Sequence, residues 1–108
     1  MAFFAVITAK GPNWDHAKGI REQAYFAEHA AFADRLTDSG VIVLGGPVED
    51  PEPDVIALLA IETDSEEALR AIFDEDPWIR HEVFRLKEIR AWTIWLDGRA
   101  RVGSGTAV

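Results

Sequence analysis

Residues 47 to 54 read Pro-Val-Glu-Asp-Pro-Glu-Pro-Asp. Proline has no N–H to give to a ladder, so no strand interior tolerates this stretch. Its flanks are the opposite. Val41-Ile42-Val43-Leu44 runs into Gly45-Gly46 before it, and Val55 to Glu62 is apolar through its middle after it. Apolar, β-branched runs bounded by turn residues read as strands. The two predict a hairpin whose second strand is central in a sheet. The segments before and after must then supply the rest of that sheet and its cover.

Residues 2–9 are a continuous apolar run and predict a buried strand. Lys10 to Ile20 reads as a loop, opened by Gly11-Pro12 and containing Trp14, Asp15 and His16. A helix is predicted from Arg21 to Asp38, stopped by Ser39-Gly40. Tyr25, Phe32 and Leu36 recur at helical spacing, with His29 on the same stripe, so all four are expected to face inward. After the hairpin, Asp64-Ser65-Glu66-Glu67 predicts a helix start, with Asp64 as cap and Glu67 in the capping-box position. Ala68, Leu69, Ile72 and Phe73 make its apolar stripe, and Pro77 predicts an end near Asp76. Trp78 to Arg85 reads as a short helical turn or loop, and Leu86 to Leu96 as the last strand.

The order βαββαβ predicts an α+β, ferredoxin-like sandwich, with both helices on one face of an antiparallel sheet. The strands at 2–9 and 55–62 are apolar on both sides, so the bare face is expected to meet a second copy of the chain. A single domain over residues 1–96 is expected. Residues 97–108 hold three glycines and little that could pack, and read as a flexible tail.

Nineteen acidic residues against 11 basic ones leave a formal charge of −8. Nucleic-acid modules and proteins that dock on anionic membranes need a basic face, so neither partner is expected. The absence of cysteine removes disulfides, thiolate catalysis and Cys-ligated metals from consideration. No stretch approaches the ~20 apolar residues of a membrane span. The opening apolar run lacks the basic lead of a signal peptide, so a cytoplasmic address is the expectation.

His29 and Asp76 carry the candidate chemistry. Asp76 lies four residues beyond Ile72 and seven beyond Leu69, so it prolongs one inward stripe as His29 interrupts the other. A carboxylate beside an imidazole fixes the tautomer and raises the basicity, which prepares a general base. The bland alternative is a histidine bonded to a carbonyl and an aspartate capping a turn. Gly45-Gly46-Pro47 could admit a ligand close to the backbone, or could simply bend the chain. Trp78 is a candidate pocket wall, whereas Trp92 and Trp95 read as core or interface packing. Arg21 could hold a substrate carboxylate or be an ordinary surface charge. His16, His29 and His81 show no metal-ligand spacing, so no metal is expected. No serine stands in a nucleophile elbow.

Taken together, Gly11-Pro12-x-Trp14, Arg21-Glu22-Gln23, Glu28-His29-Ala30-Ala31-Phe32, Leu44-Gly45-Gly46-Pro47, Asp76-Pro77-Trp78 and Ile89-x-x-Trp92-Thr93-Ile94 resemble the YciI-like (YCII-related) family. The resemblance implies a ferredoxin-like protomer that pairs through its sheets into a dimeric α/β barrel. It also implies a pocket in which His29 and Asp76 are the catalytic pair, and points to lyase- or isomerase-like chemistry on an unidentified small molecule without a cofactor. Arg21, Gly46, Pro47 and Trp78 are the substrate-binding candidates that accompany the pair. The long 10–20 loop and the acidic 49–54 turn depart from shorter members. Two rival readings are a non-catalytic dimeric module that binds a ligand or partner, and a cofactor-free monooxygenase of the same barrel type.

Overall fold

A computed structural model describes residues 1–99. Strand β1, Ala2–Lys10, leads through a long loop and a 3₁₀ turn at Ile20–Glu22 into helix α1, Phe26–Asp38. The hairpin follows as β2, Ile42–Pro47, and β3, Val55–Thr63. Helix α2, Glu66–Phe73, the short helix α3, Pro77–Arg80, and β4, Phe84–Ala91, complete the order. The strands form one antiparallel sheet in the order β2-β3-β1-β4. This small α+β architecture is compatible with the ferredoxin-like fold. No helix among the described residues is long and apolar enough to cross a membrane.

Phe32 of α1 and Leu69 and Phe73 of α2 pack with Phe4, Val6, Ile42 and Ile61 of the sheet. Both helices therefore cover the same face, and each large side chain buried there contributes about 1.5–3 kcal/mol. A second cluster, Trp14, Trp78, Val83 and Phe84, lies under α3. On the other face, alternation places Phe3, Ala5 and Ile7 of β1 beside Ala60 and Leu58 of β3. Leu44 pairs with Ala60 there, and Leu44, Leu58 and Trp92 are exposed. The second face thus keeps apolar side chains at the surface.

The register of β1 shifts on both flanks at Thr8, leaving Ile56 of β3 and Lys87 of β4 as extra residues. Such bulges re-aim side chains. Lys87, freed from pairing, reaches across to Glu52 and Asp54 of the proline-rich turn, and Arg85 also bonds Asp54 at 2.8 Å. The Lys87 hydrogen bond holds the Asp54 carboxyl below its ordinary pKa. Bonds to Glu52 and then Asp54 raise that of Lys87.

Several boundaries differ from expectation for identifiable reasons. Helix α1 starts at Phe26 rather than Arg21, because Gln23 is extended and Tyr25 is left-handed at φ 63°. Tyr25 consequently points outward and stacks on His81 at 3.9 Å. Ser65, not Asp64, caps α2 by accepting the Ala68 N–H at 3.0 Å, which takes Glu67 out of the capping-box position. Helix α2 ends at Phe73, three residues early, and Asp76 starts α3 instead. Pro47 closes β2, an edge strand, where proline is tolerated. Strand β4 stops at Ala91, opposite Phe4 of β1, and beyond it one bond runs from the Trp92 N–H to the Phe3 carbonyl at 2.9 Å. Trp92 and Trp95 are exposed rather than core. The expected tail falls mostly outside the described residues.

Candidate functional site

His29 stands near the start of α1, its N–H bonded to the Tyr25 carbonyl at 2.9 Å. Asp76 reaches the site by a local rule. The residue before a proline avoids helical angles, and Asp76 adopts φ −70° and ψ 124°. It therefore becomes the cap of α3, with Pro77 at the first helical position. Its Oδ1 accepts the Trp78 N–H at 2.9 Å. Both carboxylate oxygens also lie 2.9 Å from Nδ1 of His29.

The Asp76 side chain is 0% exposed and the His29 side chain 17%. Trp78 holds the imidazole flat: the rings stack at 3.9 Å and 4°. The edge of Phe84 meets the imidazole at 4.9 Å and 75°. Trp78 is itself fixed, because its Nε1–H donates to the Ala24 carbonyl at 2.8 Å and Trp14 packs edge-on against it at 5.8 Å. The indole thus ties α3 to the segment that launches α1.

This arrangement assigns the protons. An ionised carboxylate only accepts, so Nδ1 of His29 carries hydrogen and the neutral ring keeps a lone pair on Nε2. Nε2 makes no hydrogen bond within the described residues. No buried side-chain nitrogen or oxygen among those residues lacks a partner, so Nε2 is open to solvent-sized space. One imidazole nitrogen is anchored and the other is available.

His29 and Asp76 border a cavity of about 210 Å³. Its wall is chiefly apolar: Phe32, Ile42, Leu59, Phe73, Trp78 and Phe84 with Ile56 and Ala57. Consecutive residues of a regular strand face opposite ways, and it is the bulge at Thr8 that lets Ile56 and Ala57 both line the same hollow. Gly46 and Pro47 form one rim. A Cβ at Gly46 would meet nothing within 4 Å, whereas one at Gly45 would fall 2.6 Å from Cδ2 at the end of the Leu59 side chain, which would have to move aside.

Of the sequence candidates, His29, Asp76, Trp78, Gly46 and Pro47 come together at this cavity. Arg21 does not: it is exposed on the 3₁₀ turn, and its neighbour Ile20 lines the cavity instead. No lysine or arginine among the described residues is in the wall. Sequence reasoning missed Thr8, Ile20 and Phe84. Thr8, a polar residue in the apolar run of β1, was a visible cue, while Ile20 had none. His, Asp and Glu nowhere gather in threes able to hold a metal among the described residues.

A sequence profile of the YCII-related domain matches residues 2–93. Comparison with curated proteins finds none that matches. Among solved structures, the chain is similar to 5-chloro-2-hydroxyhydroquinone dehydrochlorinase (TftG) from Burkholderia phenoliruptrix AC1100, in complex with 2,5-dihydroxybenzoquinone. The TM-score is 0.57 at 19% identity, over 91% of this chain and 97% of that one. At that identity the likeness establishes the fold.

Proposed function

The chain belongs to the YCII-related family, and from that premise we propose that it is a small-molecule enzyme in which His29 is the acid/base and Asp76 orients it. One observation carries the reading. Nδ1 of His29 is held at 2.9 Å by a fully buried carboxylate, Nε2 is left free, and the residue borders an apolar cavity. A structural histidine needs neither the free nitrogen nor the hollow beside it.

Nε2 takes a proton from the substrate, and the Asp76 carboxylate stabilises the imidazolium that forms. The electron pair left on the substrate has two uses. It expels a leaving group as an anion, which is elimination. Alternatively it moves to a neighbouring carbon, where the imidazolium returns the proton, which is isomerisation. A positioned base of this kind supplies a factor of about 10² to 10⁴ in rate. The similar structure's name, a dehydrochlorinase, supports the eliminating branch.

The cavity also speaks to the substrate. About 210 Å³ is below the ~300–1,000 Å³ typical of drug-sized ligand pockets. Its wall offers aromatic surface and, among the described residues, no lysine or arginine, so the substrate is compact, largely apolar and neutral, with one acidic proton. Backbone groups near Gly46, rather than Arg21, remain to orient its oxygens. The second sheet face pairs with another copy to form the dimeric barrel. Neutral phenols and enolisable carbonyl compounds are the compounds to screen. Turnover found in the wild type should disappear in His29→Ala while the fold persists. Equal turnover in the two would refute the role of His29.

A further inference from the structure

Among the described residues that line the cavity, only Ile20 and Pro47 are exposed; the others are buried or half-buried. The mouth therefore lies between them. Pro47 is fixed at the end of β2. Ile20 is different: it sits 42% exposed on a loop that makes no strand pairing, yet it forms part of the wall.

That loop is nonetheless held. At its start the Gly11 N–H bonds the Val83 carbonyl and the Asn13 N–H the Glu82 carbonyl, each at 2.9 Å, and Trp14 is buried against Trp78. At its end stands Gln23, a buried polar residue whose side chain bonds only to loop backbone. Its Oε1 accepts the Asp15 N–H at 2.9 Å. Its Nε2 donates to the carbonyls of Asp15, Lys18 and Gly19 at 2.8, 3.1 and 3.3 Å. A buried amide whose bonds all go to one loop is there to shape that loop. What the loop presents next to it is Ile20.

We propose that Ile20 is a specificity-determining residue of this cavity, an apolar gate that admits compact neutral molecules to Nε2 of His29 and turns back larger or anionic ones, and that Gln23 is the positioning residue that holds it there. The proposal deepens the acid/base reading and rests on it for its biological meaning. Its test does not depend on turnover.

Diethyl pyrocarbonate acylates an accessible neutral imidazole nitrogen, and peptide mapping follows His29, His16 and His81 separately. Ile20→Ala should speed acylation of His29 severalfold, and Ile20→Trp should slow it, with His16 and His81 unchanged in both. Both variants are partly exposed substitutions on a loop, so the domain folds. Gln23→Leu, which removes the four bonds at similar volume, should also speed His29. Equal His29 rates in Ile20→Ala and Ile20→Trp would overturn the gate. A wild-type rate in Gln23→Leu would overturn its positioning role. Acceleration shared by all three histidines would count against both, as general loosening. If instead the gate responds as expected and no turnover is ever found, the acid/base reading alone fails.

Discussion

Replacing Asp76 by asparagine separates two tasks that one carboxylate performs. The amide oxygen of Asp76→Asn can still accept the Trp78 N–H now bonded to Oδ1 at 2.9 Å, so the cap of α3 survives. The amide NH₂ then stands where Oδ2 stood, 2.9 Å from Nδ1 of His29. The amide oxygen, also 2.9 Å from Nδ1, already accepts the Trp78 N–H, so the added donor faces Nδ1–H and favours an accepting Nδ1. The ring should change tautomer, with Nδ1 accepting and Nε2 carrying the hydrogen. A charge-assisted bond contributes about 1.5–3 kcal/mol and a neutral one about 0.5–1.5, so the net loss is about 1 kcal/mol. In a domain of this size that lowers the melting temperature by roughly 4–8 °C. Asp76→Ala removes both bonds and leaves the Trp78 N–H and Nδ1–H unpaired, at about 1–3 kcal/mol each, so it should lose about 3 kcal/mol or more. Thermal unfolding at one protein concentration measures both, and long-range ¹H–¹⁵N correlation of His29 reads the tautomer. Activity in the asparagine variant should fall by about 10² to 10⁴, because the nitrogen proposed to take the proton is occupied. Retention of the Nδ1–H tautomer, or equal melting of the two variants, would refute the reasoning.

Three further outcomes follow from other parts of the molecule. Gly11→Ala places a Cβ 2.4 Å from the Glu82 carbonyl oxygen, and this backbone clash should cost about 1–3 kcal/mol in urea unfolding. Asp54→Asn should alter the acid limb of stability. A carboxyl whose folded pKa is lowered, here chiefly by Lys87, contributes stability above its unfolded value of 3.8 and loses it as pH falls through the folded one. The variant should therefore be less stable than wild type at pH 7 and converge with it in strong acid, as urea midpoints across pH will register. Leu58→Glu puts a charge in the middle of the exposed sheet face; on the proposed pairing of that face with a second copy, sedimentation should show a dimer for the wild type and a monomer for the variant at one concentration.

Much of the architecture was legible because it follows from periodicity and punctuation. The proline-rich stretch forced the hairpin, the apolar run 55–62 belonged inside a sheet, and the stripe through Phe32 buried one helix face. His29 and Asp76 were legible as polar residues on inward-facing stripes, yet the geometry for Asp76 differs from the one the stripe suggests. It is placed by the proline that follows it, not by the helix that precedes it. What stayed hidden depends on tertiary partners. Tyr25 keeps helical spacing in the sequence, but its left-handed backbone takes it out of α1. The shift at Thr8 depends on how β1 pairs with both neighbours, so no local pattern announces that Ile56 and Ala57 share a wall. Arg21 looked like the mouth of a helix only because the helix looked five residues longer than it is.

The double duty of Asp76 has an evolutionary side. Selection for a folded domain alone would keep an acceptor at this position, because α3 and the anchored indole depend on it whether or not any reaction occurs. His29 makes no side-chain bond to the backbone among the described residues, and its polar hold on the fold runs only through the Asp76 carboxylate. A lineage that lost its reaction would be expected to drift first at His29 and to retain Asp76 long afterwards. Across relatives of this chain, the aspartate would mark ancestry and the histidine would mark use.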